Sequence, residues 1–263
     1  MKKRNKKPYF ESWYFREQAE DFDCSFTVRI DYDETGRMTG SLDVHLPCGS
    51  WHFDYAHPVN MNLRGSLFLV LDRSVFTEAC IHLDLEEPGL TIKGDIWFER
   101  DFGGGRVDLR RKIWAMEQEL SGELLVNGKL VTFDGGKGYL EERRSLLARP
   151  DQPAQPTRSF WTQCNWFGER NFRLVCGGSK RRCFAWIDQD GYPIRMTGWK
   201  GAQVEYVYDG GFRMRQGRYV LEGWYSKDHP GTVRYRLTHG SDVLFDEISQ
   251  RAVYLYKIKE GFQ

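Results

Sequence analysis

The stretch Pro8–Glu17, PYFESWYFRE, sets five aromatic side chains in ten residues and places a carboxylate among them, directly after a basic start, MKKRNKK. An aromatic run of this length reads as a strand. Alternation then puts Tyr9, Glu11, Trp13 and Phe15 on one face and Phe10, Ser12, Tyr14 and Arg16 on the other. Two outcomes follow for Glu11. On an edge strand it reaches solvent or an arginine. Inside an aromatic-walled cavity it is a carboxyl kept from water, and burial of that kind favours the protonated, proton-donating form.

Other constellations carry less chemistry. WHFDYAH offers His52, Asp54 and His57, but on a strand His52 and Asp54 share a face and His57 points to the other, so no metal is expected there. FGGGR and FDGGKGY lack the spacing and the following helix of a phosphate cradle and read as turns and bulges. No serine stands in a GxSxG elbow. The six cysteines form no CxxC pair and are expected to be free thiols, and no cofactor is expected.

The elements that must position such residues are strands. Aromatics at 15% with 27 glycines in 263 residues fit an all-β protein with many turns. CSFTVRIDY places Phe26, Val28, Ile30 and Tyr32 on one face, and SVFTEACIHLDL is expected to do the same with Val75, Thr77, Ala79, Ile81 and Leu83. In ELLVNGKLVTF, Asn127 and Gly128 supply the positive φ angles of a type I′ hairpin, and further hairpins are expected at DETGR, DQDG and YDGG. Between Glu142 and Ser159 alternation gives way to a proline-rich stretch. The expected organisation is an N-terminal β domain over 1–142, a link or loop over 143–158 and a C-terminal β domain over 159–263, each an antiparallel barrel or sandwich.

With 38 basic and 37 acidic residues the net charge is +1, which gives no general field for nucleic acid. The one basic block, MKKRNKK, is a solvated tail that could touch anionic lipid head groups. GSLFLVLD, the most apolar window, is too short to cross a bilayer, and the charges in PYFESWYFRE do not suit a signal peptide, so a cytoplasmic protein is expected.

Four stretches in order, YFESWYFR, SGELLVNGKLVTFDGGKGYLEERRS, FWTQCNW and MTGWKGAQVEYVYDGGFRMRQGRYVLE, resemble the tocopherol cyclase family, whose members carry YFEGWYFK, then G.L.ING....F.GG.GYIE.D.G.SFP, then W.Q.N and a second β domain. The resemblance spans nearly the whole chain. It implies two lipocalin-like β domains with a cavity for an apolar ligand, a prenylated quinol or a terpenoid. In the family's reaction an alkene is protonated, leaving a tertiary cation, and a phenol oxygen adds to it, closing a chromanol ring with no redox step or metal. That chemistry needs a carboxylic acid kept protonated, a dry pocket, aromatic faces and a group for the phenol proton. What the resemblance implies is Glu11 or Glu141 as the acid, Trp13, Phe15, Tyr139 and Trp161 as walls, and Gln163 or Asn165 holding the quinol oxygen.

Some positions depart from the family. After GYLE the chain reads Glu142, Arg143, Arg144 and Ser145 where the family has an acid and then a glycine, and Arg111, Lys112 and Gln118 stand in stretches where it has histidines. Alternation puts Glu141 on the face of Tyr139, which would raise its pKa, whereas a contact with Arg143 or Arg144 would hold it ionised as a structural pair. A non-catalytic carrier of apolar ligands is therefore weighed beside the cyclase, with a β-rich enzyme on another substrate as a third class.

Overall fold

The structure is a computed structural model and describes residues 8–61, 67–101, 105–108, 111–146, 157–164, 172–180, 182–189, 192–229, 231–249 and 252–259. The basic block at 1–7, and with it the expected lipid contact, lies outside the described residues. The chain divides into two compact units, Met1–Ala148 and Arg149–Gln263.

The first unit is one antiparallel sheet built from β1 (Tyr9–Gln18), β2 (Asp23–Tyr32), β3 (Met38–Leu46), β4 (Gly49–Tyr55), β5 (Val59–Asn60), β6 (Phe68–Leu71), β7 (Ser74–Thr77), β8 (Cys80–Glu87), β9 (Leu90–Asp101), β10 (Gly105–Asp108), β11 (Arg111–Val126), β12 (Lys129–Thr132) and β13 (Gly136–Leu146). Its order is β4-β3-β2-β1-β13-β11-β9-β8-β7-β6-β5, with β10 and β12 paired to β11. The sheet curls on itself. Gly40 of β3 lies against Pro58 and Leu71, and Asn60 of β5 reaches Glu11 of β1 across the interior. Inside the curl Trp13, Phe15, Phe26, Val28, Ile30 and Leu42 belong to one fully buried cluster. Each such side chain contributes about 1.5–3 kcal/mol by leaving water.

The alternation of CSFTVRIDY holds in β2, where Phe26, Val28 and Ile30 are buried. SVFTEACIHLDL is not one strand. It breaks into the β7–β8 pair, with Thr77 turning the chain by bonding through its hydroxyl to the backbone of Ala79 and Cys80. Ser74 and Phe76 face inward in place of Val75 and Thr77, while Ile81 and Leu83 do point to the core. A short polar side chain that satisfies turn backbone locally outweighs an unbroken alternating pattern. Asn127 and Gly128 have φ of 48° and 81° between β11 and β12, as a type I′ hairpin requires.

The expected link over 143–158 is shorter at both ends. Arg143–Leu146 continue β13, because their backbone completes the ladder with Tyr9–Ser12 whatever their side chains carry, and Thr157 and Arg158 begin the next strand.

The second unit has two five-stranded antiparallel sheets. One joins β14 (Thr157–Cys164), β15 (Phe172–Ser179), β16 (Arg182–Gln189), β17 (Tyr192–Thr197) and β23 (Val253–Lys259) in the order β17-β16-β15-β14-β23. The other runs β18 (Gln203–Tyr208), β19 (Gly211–Gln216), β20 (Tyr219–Tyr225), β21 (Val233–His239) and β22 (Asp242–Ser249) in that order. The YDGG turn joins β18 to β19, with Tyr208 opposite Gly211. Their facing sides share a core in which Phe160 stacks on Phe212 at 4.2 Å and the buried hydroxyls of Thr162 and Tyr235 bond to each other. Among the described residues no helix is long and apolar enough to cross a membrane.

Candidate functional site

Strand β1 lies between β2 and β13, and directly opposed residues of paired strands share a face. Glu11 faces Ile30 and Arg144, Trp13 faces Val28 and Glu142, and Phe15 faces Phe26 and Leu140. This is the inward face of the curl. Here Glu11 is both buried among rings and paired to an arginine. Its carboxylate meets the Arg144 guanidinium at 3.1 Å and accepts from the Asn60 amide at 3.0 Å and the Tyr32 hydroxyl at 3.4 Å. Arg144 also holds Glu142 at 2.5 Å. Burial works against the charge of Arg144, yet Glu11 and Glu142 keep the guanidinium above its usual value. Tyr9 stacks on Tyr32 at 4.4 Å, and burial, then the Glu11 charge, pushes both phenols up. Glu11 is thus anchored by a charge-assisted network.

Glu141 and Tyr139 stand on the other face, opposite Tyr14 and Arg16. The Tyr139 hydroxyl donates to Glu141 at 2.8 Å, and both side chains are buried. The Tyr14 ring meets Tyr139 edge-on at 6.2 Å, and its hydroxyl is pushed up to about 12, mainly by burial. Arg16 pairs with Asp23 at 2.6 Å. Of the two arginines expected near Glu141, Arg144 is corrected, since residues three apart on a strand point to opposite faces and Arg144 turns to Glu11 and Glu142 instead, whereas Arg143 shares the face of Glu141. Glu11 and Glu141 therefore belong to two different places. Tyr139→Phe should cost about 1–2 kcal/mol by removing a donor from a buried carboxyl, read as a fall in Tm. An unchanged Tm would remove that bond from the account.

Trp161 and Gln163 are in the second unit, on the face of β14 turned away from the core residues Phe160 and Thr162, and Gln163 is fully buried. Asn165 lies outside the described residues. His52 bonds to Asp43 at 2.6 Å and to Asp54 at 3.3 Å on an exposed face, and His57 is outside that group. Among the described residues no set of three His, Cys, Asp or Glu side chains could hold a metal.

Sequence reasoning passed over Glu17. It is the next residue but one after Phe15 on the same inward face, and it is 0% exposed. Among the described residues neither of its carboxyl oxygens has a hydrogen-bond partner. Burial, reinforced by Asp23 and opposed by Arg16, pushes its pKa well above the usual carboxylate range. The signal was available, because the alternation that buries Glu11 buries Glu17 as well. Room for the carboxyl comes from Gly138 opposite it, where a Cβ would sit 2.4 Å from Glu17 Oε2 and 2.8 Å from Leu120 Cδ2. Gly138→Ala should therefore cost about 1–3 kcal/mol in denaturant melts; a cost near zero would mean that the carboxyl swings aside freely.

No protein-family model and no curated protein matches the chain. Solved structures do match over most of its length. CghA with Sch210972 aligns at a TM-score of 0.54 and 14% identity, covering 96% of this chain and 89% of that one. CghA in a second structure gives 0.55 and 13%, covering 96% and 88%. Kievitone hydratase from Nectria haematococca gives 0.51 and 9%, covering 94% and 88%. The chain has their lipocalin-like fold. Curled antiparallel sheets of this class line ligand cavities with inward-facing side chains. In this lipocalin-like chain the inward face of β1 carries Glu11, Trp13, Phe15 and Glu17 in succession.

Proposed function

We propose that the protein binds an apolar, prenylated ligand, a quinol or a terpenoid, along the inward face of β1. The observation that carries this reading is the setting of two fully buried rings, Trp13 and Phe15, between two buried carboxyls on one face. Rings suit an isoprenoid chain, and the carboxyl-bearing ends suit a polar group. The likeness in fold to CghA and to a hydratase supports it. A second reading adds catalysis, because burial raises the pKa of Glu17 and so favours its protonated, proton-donating form. Protonation of an alkene by such an acid leaves a cation that an internal hydroxyl closes into a ring, or that water converts to an alcohol, as the name of kievitone hydratase describes, and the proton the oxygen loses returns to the carboxylate. Both routes are redox-neutral. The faces of rings such as Trp13 and Phe15 would stabilise the cation.

Mass spectrometry of small molecules that co-purify with the protein tests the binding reading, followed by incubation with a geranylated hydroquinone. A bound prenyl compound that returns unchanged supports the carrier, and chromanol formation supports the catalyst. Failure to retain or bind any prenyl compound would sink both.

A further inference from the structure

On β21 the side chains alternate, with Val233, Tyr235 and Leu237 in the core of the second unit and Arg234 and Arg236 on the outward side. The register sets Trp224 of β20 opposite Arg234 and Glu222 opposite Arg236, and on β22 it sets Ile248 and Asp246 opposite the same two arginines. Trp224, Arg234 and Arg236 line a pocket of about 300 Å³, the lower end of the range for small-ligand sites. Arg234 does not close it over the ring. Its guanidinium stands 6.0 Å from the indole centroid, at the limit of a cation–π contact, whereas Arg195 lies on Trp186 at 3.9 Å. Asp246 instead holds Arg234 through Nε at 2.7 Å and Nη2 at 2.8 Å, a fork that leaves Nη1 outside the pair.

The charges on this outward face do not balance. Its arginines are Arg213, Arg215, Arg234 and Arg236, and its carboxylates, among the described residues, are Glu205, Glu222 and Asp246. Glu247, opposite Tyr235, stands on the other side. Glu205 holds Arg213 and Arg215, Glu222 holds Arg213, and both oxygens of Asp246 are taken by Arg234. Arg236 is left over. Its Nε has no hydrogen-bond partner among the described residues, and Asp246 Oδ2 at 3.8 Å is too far to be one. One surplus positive charge therefore lines the same pocket as an indole.

We infer that this pocket binds a monoanionic carboxylate carried on a flat ring, with the ring against Trp224 and the carboxylate on the guanidinium of Arg236. One unmatched cation calls for one negative charge, and a phosphate dianion would overshoot it. A planar guanidinium pairs with a carboxylate through two parallel bonds, which an ammonium cannot do. A flat ring offers the indole face more contact than an aliphatic one does. All three lining residues belong to the second unit, so the site does not depend on the prenyl-binding reading above.

The test titrates the full chain with 2-naphthoate by calorimetry, beside 2-naphthamide, which lacks the charge, and cyclohexanecarboxylate, which lacks the flat ring. The naphthoate should bind about tenfold more tightly than either. Arg236→Gln should remove its advantage over the amide, Arg236→Lys should keep part of it, and Trp224→Leu should remove its advantage over the cyclohexane acid. Equal binding of naphthoate and naphthamide to the wild-type chain would overturn the carboxylate seat without recourse to any variant. So would an Arg236→Gln protein that binds naphthoate as the wild type does. Tighter binding of 2-naphthyl phosphate would overturn the choice of a monoanion. Displacement of naphthoate by a geranylated hydroquinone would put the ligand on β1 and overturn the site, while leaving the prenyl-binding reading in place.

Discussion

Glu17→Gln should be more stable than the wild-type protein at neutral pH, and its advantage should widen as pH rises. In the folded chain burial keeps Glu17 protonated well above the usual value of 4.5, whereas the unfolded chain ionises it normally. Between those two values unfolding releases a proton, so wild-type stability falls with rising pH. The contribution is complete below about 4.5 and declines by about 1.4 kcal/mol per pH unit above it, until the folded-state value is passed. Other groups around the carboxyl do not mimic this. Cys24, opposite Glu17 on β2, is itself pushed up by burial and stays a neutral thiol, and Gln118 carries no charge. Asp23 and Arg16 are paired to each other, the first favouring the neutral acid and the second opposing it. The glutamine amide has its own unpaired atoms, which add a constant offset, so the slope is the diagnostic quantity. Denaturant melts from pH 5 to 8 read it directly. Parallel curves for the two proteins would show that Glu17 is ionised in the fold and would remove it as a candidate acid.

Much of the fold was legible because period-two alternation is strong where one face of a strand is buried. CSFTVRIDY and the Asn127–Gly128 hairpin correspond to the strand and turn that their residues demand. SVFTEACIHLDL was not legible, since Thr77 ends one strand and Cys80 begins the next without breaking the written pattern. The site was half legible. Alternation correctly grouped Glu11, Trp13 and Phe15, and separately Tyr139 with Glu141, but the relation between two strands depends on register, which a single sequence does not display. Register placed Glu141 beside Tyr14 and turned Arg144 to Glu11. It also set Gly138 between Glu17 and Gln118, two residues 101 positions apart that no local pattern links.

Arg144→Met should destabilise the protein by about 2–4 kcal/mol, the second large effect expected of this face. Arg144 is half exposed, but the groups it serves are not: Glu11 and Glu142 are 6% and 5% exposed, and each lies within 3.1 Å of its guanidinium. Removing the cation takes one charge-assisted partner from each of two buried carboxylates, and breaking a buried pair costs about 3–5 kcal/mol. Solvent screening at the exposed arginine trims the figure. Methionine keeps most of the stem length, so lost packing explains little of the effect. Glu11 retains Asn60 and Tyr32 as donors. Adding Glu11→Gln or Glu142→Gln to Arg144→Met should recover part of the lost stability. Should Arg144→Met melt within about 0.5 kcal/mol of the wild type, the arginine would be a surface charge and Glu11 would return as a candidate acid.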